Sequence, residues 1–370
     1  MHHITVHTLT SLPLHVPNRG EDGLAKRAVI AGIERQRISY QCQQYALRHA
    51  SEFQALEATA EAGHTYRTTL VGERLLLPAL VERGVEDPES WASAVMALWT
   101  KEKKRKEKDE VESEFEEPGV PSSAAPLIVG EQDVRLLAAI VGECASAGIK
   151  PAALRELFEK KPKKDTPPAV VTAMQALKTA RAGVGLDGAL FGRMSTGLAV
   201  SNVDRCVRIA DAITTGAIAT EADFFLVADD LKTRDAGEYG GSHINTRELG
   251  NGVFYRQMAI DLGQMKRNGL DPKVIVSGLV AAFISVSPVG DRAAAMPIEA
   301  LVELGGRPRS LMDAFSRPLA SPELATQALR EQAHQQHELL GAPDLTLWLS
   351  EQAPVKLQSL QAAIAAALRG

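Results

Sequence analysis

The sequence predicts an α+β protein, and three observations carry that prediction. A strand pattern opens the chain, a long stretch of helical periodicity interrupts it, and strand-like runs return in the last half around an unusually long hairpin. The resulting order is strand, helical insertion, strand, helix, hairpin, helix, strand. That order is compatible with a ferredoxin-like, RRM-like core.

Residues 3–12, HITVHTLTSL, set Ile4, Val6 and Leu9 among polar residues, as a half-buried strand does. The segment Pro17–Arg48 then crowds Arg19, Lys26, Arg27, Arg35, Arg37 and Arg48 around Gly20, Gly23 and Gly32. Ser39 suits an N-cap, and Gln41–Ala58 reads as one helix. A basic loop leading into a helix N-terminus suits phosphate, although a solvated charged face is the alternative. Residues 60–185 are mostly helical in pattern, with Leu75, Leu76, Leu80 and Val81 on one face and Leu136, Leu137, Ile140 and Val141 on another. Lys101–Glu117 is a charge run, and Lys160–Pro168 is a breaker.

Ala189–Met194 reads as a short strand and Asn202–Thr214 as a helix, with Val203, Cys206, Val207 and Ala210 on one face. Asp223–Arg256 is the long hairpin. It goes out along Phe224–Ala228 and returns along Val253–Tyr255, continuing to Ile260. Connections longer than roughly 12–15 residues are usually functional or disordered, so this one is expected to project and hold something. Pro272–Val286 reads as an apolar helix, and Ile298–Leu304 as a strand stopped by Gly305-Gly306. Pro322–Gly370 adds one or two helices, of which Val355–Leu368 is the clearer.

A chain of 370 residues holds one large or two modest domains. Its 45% hydrophobic and 24% charged residues fit an ordinary globular protein. Cys42, Cys144 and Cys206 lack metal or disulfide spacing, which predicts a reducing, cytoplasmic setting. The start reads as strand rather than signal peptide, and the apolar runs look too short to span a membrane. A net charge of −5 means that any nucleic-acid site depends on local basic groups.

Gly183–Gly188 spells G-x-G-x-x-G, but the helix-like run Val171–Ala182 precedes it where a dinucleotide site needs a strand, so the glycines read as a hinge. His2, His3, His7, His334 and His337 lack the partners of a zinc site and read as exposed. Asp229 and Asp230 point to opposite faces of a strand. With no nucleophile–base constellation either, no catalytic residue, metal or cofactor is expected, and the chain reads as a non-enzyme.

Four segments, in order, resemble the CasC family, the backbone subunit of the type I-E CRISPR surveillance complex, Cascade. The family signature N-R-D-D, then G-G-x-R-R-x-R-I-S-S-Q, is similar to Asn18-Arg19-Gly20-Glu21-Asp22 and Ala31–Gln41. Its G-R-M stands at Gly192-Arg193-Met194. Its D-x-F-x-A-V-D-D-L is similar to Asp223–Leu231, and its H-x-G-T-x-E-F…F-Y-R-Y to His243–Leu249 with Phe254–Gln257. The resemblance covers about residues 3–50 and 187–320. Where relatives carry Lys-Arg on the first helix this chain has Gln43-Gln44, and after the apolar helix only Arg292 stands as a contact.

The resemblance implies an RRM-like palm (1–58, 186–221 and 257–320), a large helical fingers insertion (59–185), a long β-hairpin thumb (222–256) and C-terminal helices (321–370). It implies a non-catalytic subunit that polymerises head-to-tail along a CRISPR guide RNA, kinks it periodically and presents segments to target DNA, beside other Cascade subunits. The RNA-binding residues it points to are Arg19, Lys26, Arg27, Arg35, Arg37, Ser39, Gln41, Gln43, Gln44, Arg193, Met194, Leu226, His243 and Arg292. Met194 would wedge beside an unstacked base, and Arg193 would serve a phosphate or stack on a base. Two alternatives stay open: a metal-dependent ribonuclease of a type III-like complex, using Asp22 or Asp291, and a helical scaffold that binds no nucleic acid.

Overall fold

The structure, a computed structural model, describes residues 2–99, 120, 122–123, 125–159, 166–179, 182–195, 197, 200, 202–218, 220–227, 243–350 and 356–369. The Lys101–Glu117 run and the Asp229-Asp230 pair lie outside the described residues. The chain divides into two units, one of Met1–Leu56, Val207–Gly263 and Pro272–Gly370, the other of Glu57–Cys206 and Gln264–Asp271.

The first unit is built on an antiparallel nine-stranded sheet. Its strands are β1 (His3–His15), β2 (Arg27–Ile30), β3 (Ile33–Ile38), β6 (Val207–Ile209), β7 (Ala212–Thr214), β8 (Thr220–Val227), β9 (His243–Asp261), β10 (Met296–Gly305) and β11 (Leu345–Ser350). The main path runs β11-β10-β1-β9-β7-β3-β2, with β6 and β8 also paired to β9. β9 is the spine. It pairs with β8 from His243 to Gly250, then with β7 and β6, and with β1 from Gly250 to Asp261.

Period-two alternation along β9 sends neighbours to opposite faces. Val253 and Tyr255 join Leu9, Leu301, Phe315 and Leu329 in one cluster, while Phe254 joins Leu12, Ile38 and Val289 in the other. Both faces of the sheet are therefore covered, which is why β1 is buried almost throughout. The helices of this unit are α1 (Tyr40–His49), the start of α2 (Ser51–Ala60), α10 (Pro272–Ser285), α11 (Pro322–Leu340) and α12 (Leu357–Ala367). α11 presents Ala325, Leu329 and Ala333, four residues apart, to the first cluster.

Several expectations are corrected. The single helix Gln41–Ala58 is broken at Ala50, whose extended backbone (ψ 147°) separates α1 from α2. The segment Asn202–Thr214 is not a helix: Val207–Ile209 and Ala212–Thr214 are short strands, because pairing with β9 overrides a local helical pattern. The hairpin returns at His243, which pairs with Val227, whereas Val253–Tyr255 belong to the body of the sheet. β11 was not foreseen, although LTLWLS alternates as an edge strand does. Residues Pro272–Arg292 have the length and mean hydropathy (1.8) of a membrane span, longer than the sequence reading allowed, but 56% of the window is buried in the fold.

The second unit is mainly helical, with a β4 (Thr65–Thr68) and β5 (Leu127–Gly130) pair, then α3 (Leu77–Glu82), α4 (Pro88–Trp99), α5 (Glu131–Ser146), α6 (Leu154–Glu159), α7 (Pro168–Thr179) and α8 (Gly185–Phe191). α9 (Leu262–Arg267) follows β9. Trp91, Val95, Leu137 and Val141 are among the side chains of its core. A π-helical turn at Val71–Leu76 precedes α3; Leu76 and Leu80, four residues apart, are buried, while Val81, one position round from Leu80, is exposed. Ala189–Phe191 are the end of α8, not a strand. Gly185 is not a loose hinge: its φ is +81°, and a Cβ there would lie 2.4 Å from Thr65 Oγ1.

Candidate nucleic-acid interface

The basic segment forms a clasped hairpin in the first unit. Asn18 opens it. Its Oδ1 accepts from Ser39 N at 3.0 Å and Ser39 Oγ at 2.9 Å, while its carbonyl accepts from Lys26 N at 2.7 Å. Glu248 of β9 closes it, accepting from Ala25 N at 2.6 Å and Arg27 Nη2 at 2.9 Å. One carboxylate of the fourth signature thus holds the segment between the two halves of the first. Next to it, Gly250 admits Gln36: a Cβ there would lie 2.5 Å from Gln36 Oε1.

The cations in and around this hairpin divide by burial. Arg19 and Arg27 are exposed, and Lys26 and Arg37 are half-buried. Arg35 is fully buried. It donates to the carbonyls of Thr215 (2.6 Å), Phe315 (3.1 Å) and Thr214 (3.4 Å), holding β3 to the sheet. The expectation that Arg35 faces RNA is therefore corrected for the free chain, because these carbonyls need a buried donor. Arg37 is paired with Asp211 at 2.7 Å.

Ser39 does cap α1, its Oγ accepting from Cys42 N at 3.4 Å. The first amide of the helix, Tyr40 N, is already taken by Asp211 Oδ1 at 2.7 Å. An internal carboxylate thus stands where the sequence suggested phosphate. Gln41 is exposed and Gln44 half-buried. Gln43 is buried: its Nε2 donates to Ala210 O at 2.8 Å, and its Oε1 accepts from Arg256 Nε at 3.3 Å. It faces inward because Arg256 is fully buried over the Phe283 ring, 4.4 Å from its centroid, and needs polar partners. Burial pushes the Arg256 guanidinium down to about 9.

Arg292, from a turn at Gly290–Arg292, is exposed and donates toward Cys42 Sγ at 3.8 Å. Burial raises the Cys42 thiol, while Arg292 and Lys26 pull it back. Burial lowers His15, and Arg292 lowers it further. Lys26 and Arg292 thus both act on Cys42 in the first turn of α1. Sequence reading missed the aromatic pair beside it, Tyr45 and His49, four residues apart on α1. Their signal was an exposed aromatic at helical spacing.

In the second unit Arg193 is buried, bridged by backbone to Val203 and paired through Nη1 with Asp133 Oδ2. Burial raises the Asp133 carboxyl, partly offset by Arg193 and by the Gly130 N–H. Arg193 therefore locks α5 rather than facing solvent. Its neighbour Met194 is 84% exposed. Leu226 and His243 sit in paired backbone, opposite Ile244 and Val227, and their side chains lie outside the described residues.

The five histidines do not share one environment. His7 is buried, contrary to the exposed reading, with Nδ1 2.9 Å from Tyr255 OH and Nε2 3.7 Å from Glu303. His337 reaches the same Glu303 at 2.5 Å. Among the described residues no group of three or more His, Cys, Asp and Glu is placed to hold a metal ion.

No curated protein matches this chain. Solved structures that share its fold include the following two. A chain of a CRISPR RNA-guided surveillance complex in a pre-nicking state has a TM-score of 0.73 and 24% identity, covering 99% of each chain. A chain of a CRISPR RNA-guided surveillance complex has a TM-score of 0.66 and 22% identity, again over 99% of each. The model of the family described as CT1975-like protein spans residues 4–368, and the chain belongs to that family.

Proposed function

We propose that this chain is a non-catalytic backbone subunit of a Cascade complex of type I-E kind, binding a CRISPR guide RNA and polymerising head-to-tail along it. One observation carries the reading: the fold matched over 99% of the chain at a TM-score of 0.73 is that of a subunit in an RNA-guided surveillance complex. In this reading the nine-stranded body is the RRM-like palm, the helical unit the fingers and the β8–β9 ribbon the thumb. Arg19, Lys26, Arg27 and Arg292, with Arg37 shared with Asp211, run past guide phosphates. Ser39, Gln43 and Arg35 act one step back by fixing the hairpin and helix. A heterologous contact between copies gives a filament, and pairing of exposed guide segments with target DNA supplies specificity.

The test is the nucleic acid that copurifies with the chain. RNA of uniform length, with several copies of the chain per strand, is the expected result. A preparation free of nucleic acid that also fails to bind single-stranded RNA at low salt overturns the reading. Incubating the assembled complex with complementary RNA and magnesium separates it from the ribonuclease alternative, which gives regularly spaced cuts.

A further inference from the structure

Cys42, Tyr45, Ala46 and His49 fall at i, i+3, i+4 and i+7 on α1, so they share one helix face. That face forms one wall of an open cavity of about 890 Å³, and much of the other wall comes from Ser285 to Ala295. The Tyr45 and His49 rings stack at 4.0 Å between centroids, 27° from parallel. His49 Nδ1 lies 2.8 Å from the Tyr45 carbonyl, which holds the pair in place, yet Tyr45 stays 60% exposed. Opposite them Ala293, Ala294 and Ala295 offer nothing beyond Cβ, so the gap stays open.

The charges around the cavity are mixed. Arg292 lines it, but so do Glu52 and Asp291. Inside the cavity two carboxylates oppose a phosphate, whereas a neutral heteroaromatic ring offers amino donors to the carboxylates and acceptors to the guanidinium, whose several N–H donors also serve a phosphate outside it. Aromatic side chains left in water beside a cationic track are the usual platform for an unpaired base. We propose that this cavity takes one unpaired nucleobase of the bound RNA, stacked on the Tyr45–His49 pair with Arg292 at its edge. The proposal rests on the RNA-binding reading above and adds a base site to its phosphate track.

The test uses the full chain with single-stranded RNAs carrying 2-aminopurine at successive positions. Wild type should quench the fluorescence of at least one position. Tyr45→Ala with His49→Ala should abolish that quenching and weaken binding roughly fivefold to 150-fold, the range for loss of a base–aromatic stack. The salt slope should stay unchanged, because no phosphate contact is lost. Tyr45→Phe should behave as wild type. Both side chains are exposed, so the variants are expected to fold, and a circular-dichroism melt checks this. Unchanged affinity and quenching in the double variant, while wild type binds RNA, overturns the base site alone. A slope lowered by about 0.7 also overturns it, since that marks a phosphate contact. Absence of RNA binding by wild type overturns the RNA reading and the base site with it.

Discussion

Arg37 donates through Nη1 to Asp211 Oδ2 across 2.7 Å, and the other oxygen of that carboxylate accepts the Tyr40 backbone N–H at 2.7 Å. One side chain therefore neutralises both the cation and the helix terminus that sequence reasoning offered to phosphate. Asp211→Asn keeps an acceptor for Tyr40 N–H and removes the negative charge that neutralises Arg37. Both partners are about a third exposed, so stability should fall by less than about 1 kcal/mol. Affinity for single-stranded RNA should rise, with the log–log salt slope steeper by about 0.7. An unchanged slope takes Arg37 off the RNA track.

Arg35 and the pair Lys26 and Arg292 should separate cleanly. Arg35→Ala leaves the carbonyls of Thr214, Thr215 and Phe315 without their buried donor, at a cost of at least about 2 kcal/mol by urea unfolding. Lys26→Ala with Arg292→Ala removes partly exposed groups, so stability should stay within about 1 kcal/mol. The salt slope should drop by about 1.4, for two phosphate contacts. A double variant with the wild-type slope would place both cations away from the strand.

These two comparisons also show what was legible in the sequence. Strong local signals held: the Ser39 cap, the apolar α10, the strand over Ile298–Leu304 and the outward run of the hairpin. Pairing was not legible. Val207–Ile209 and Ala212–Thr214 are strands only because β9 lies beside them. The basic residues were visible as a cluster, but not their division into Arg35 inside and Arg27 outside. That division is set by Thr214, Thr215, Phe315 and Glu248, distant in sequence. Tyr45 and His49 escaped notice because a lone exposed aromatic pair is not distinctive until the cavity beside it is seen.

His7 gives the fold an acid limit. Burial holds its folded pKa below the usual 6.5, outweighing the upward pull of Glu303. Between that lowered value and 6.5 the unfolded chain binds more protons than the folded one, so stability is full above this window and falls as pH falls through it. Glu303 adds a second window. Burial raises its pKa, but hydrogen bonds and charge from His7 and His337 outweigh that and leave it below 4.5, so stability falls again on acidification below 4.5. Thermal melts should therefore begin to drop as the pH falls below about 6.5, before the general acid transition. His7→Asn should lower Tm at pH 8 and flatten the first window. An identical pH profile in the variant would assign that loss to other groups.

Arg193 and Met194 are chain neighbours with opposite placements, and this separates structure from function in the second unit. Arg193→Ala strands the buried Asp133 carboxylate, which costs about 3–5 kcal/mol, so its loss of RNA binding should track loss of folded protein. Met194 is 84% exposed, so Met194→Ala should leave stability within about 0.5 kcal/mol. If the exposed thioether wedges beside a guide base, that base loses its stacking partners, worth about 1–3 kcal/mol, and becomes reactive at its Watson–Crick edge. In the assembled wild-type complex, base-specific probes should then show reactive guide positions at a regular interval. Met194→Ala should keep the salt-dependent affinity and blur that interval. A uniform reactivity profile along the wild-type guide would exclude the kinked strand and leave a chain that coats RNA without dividing it.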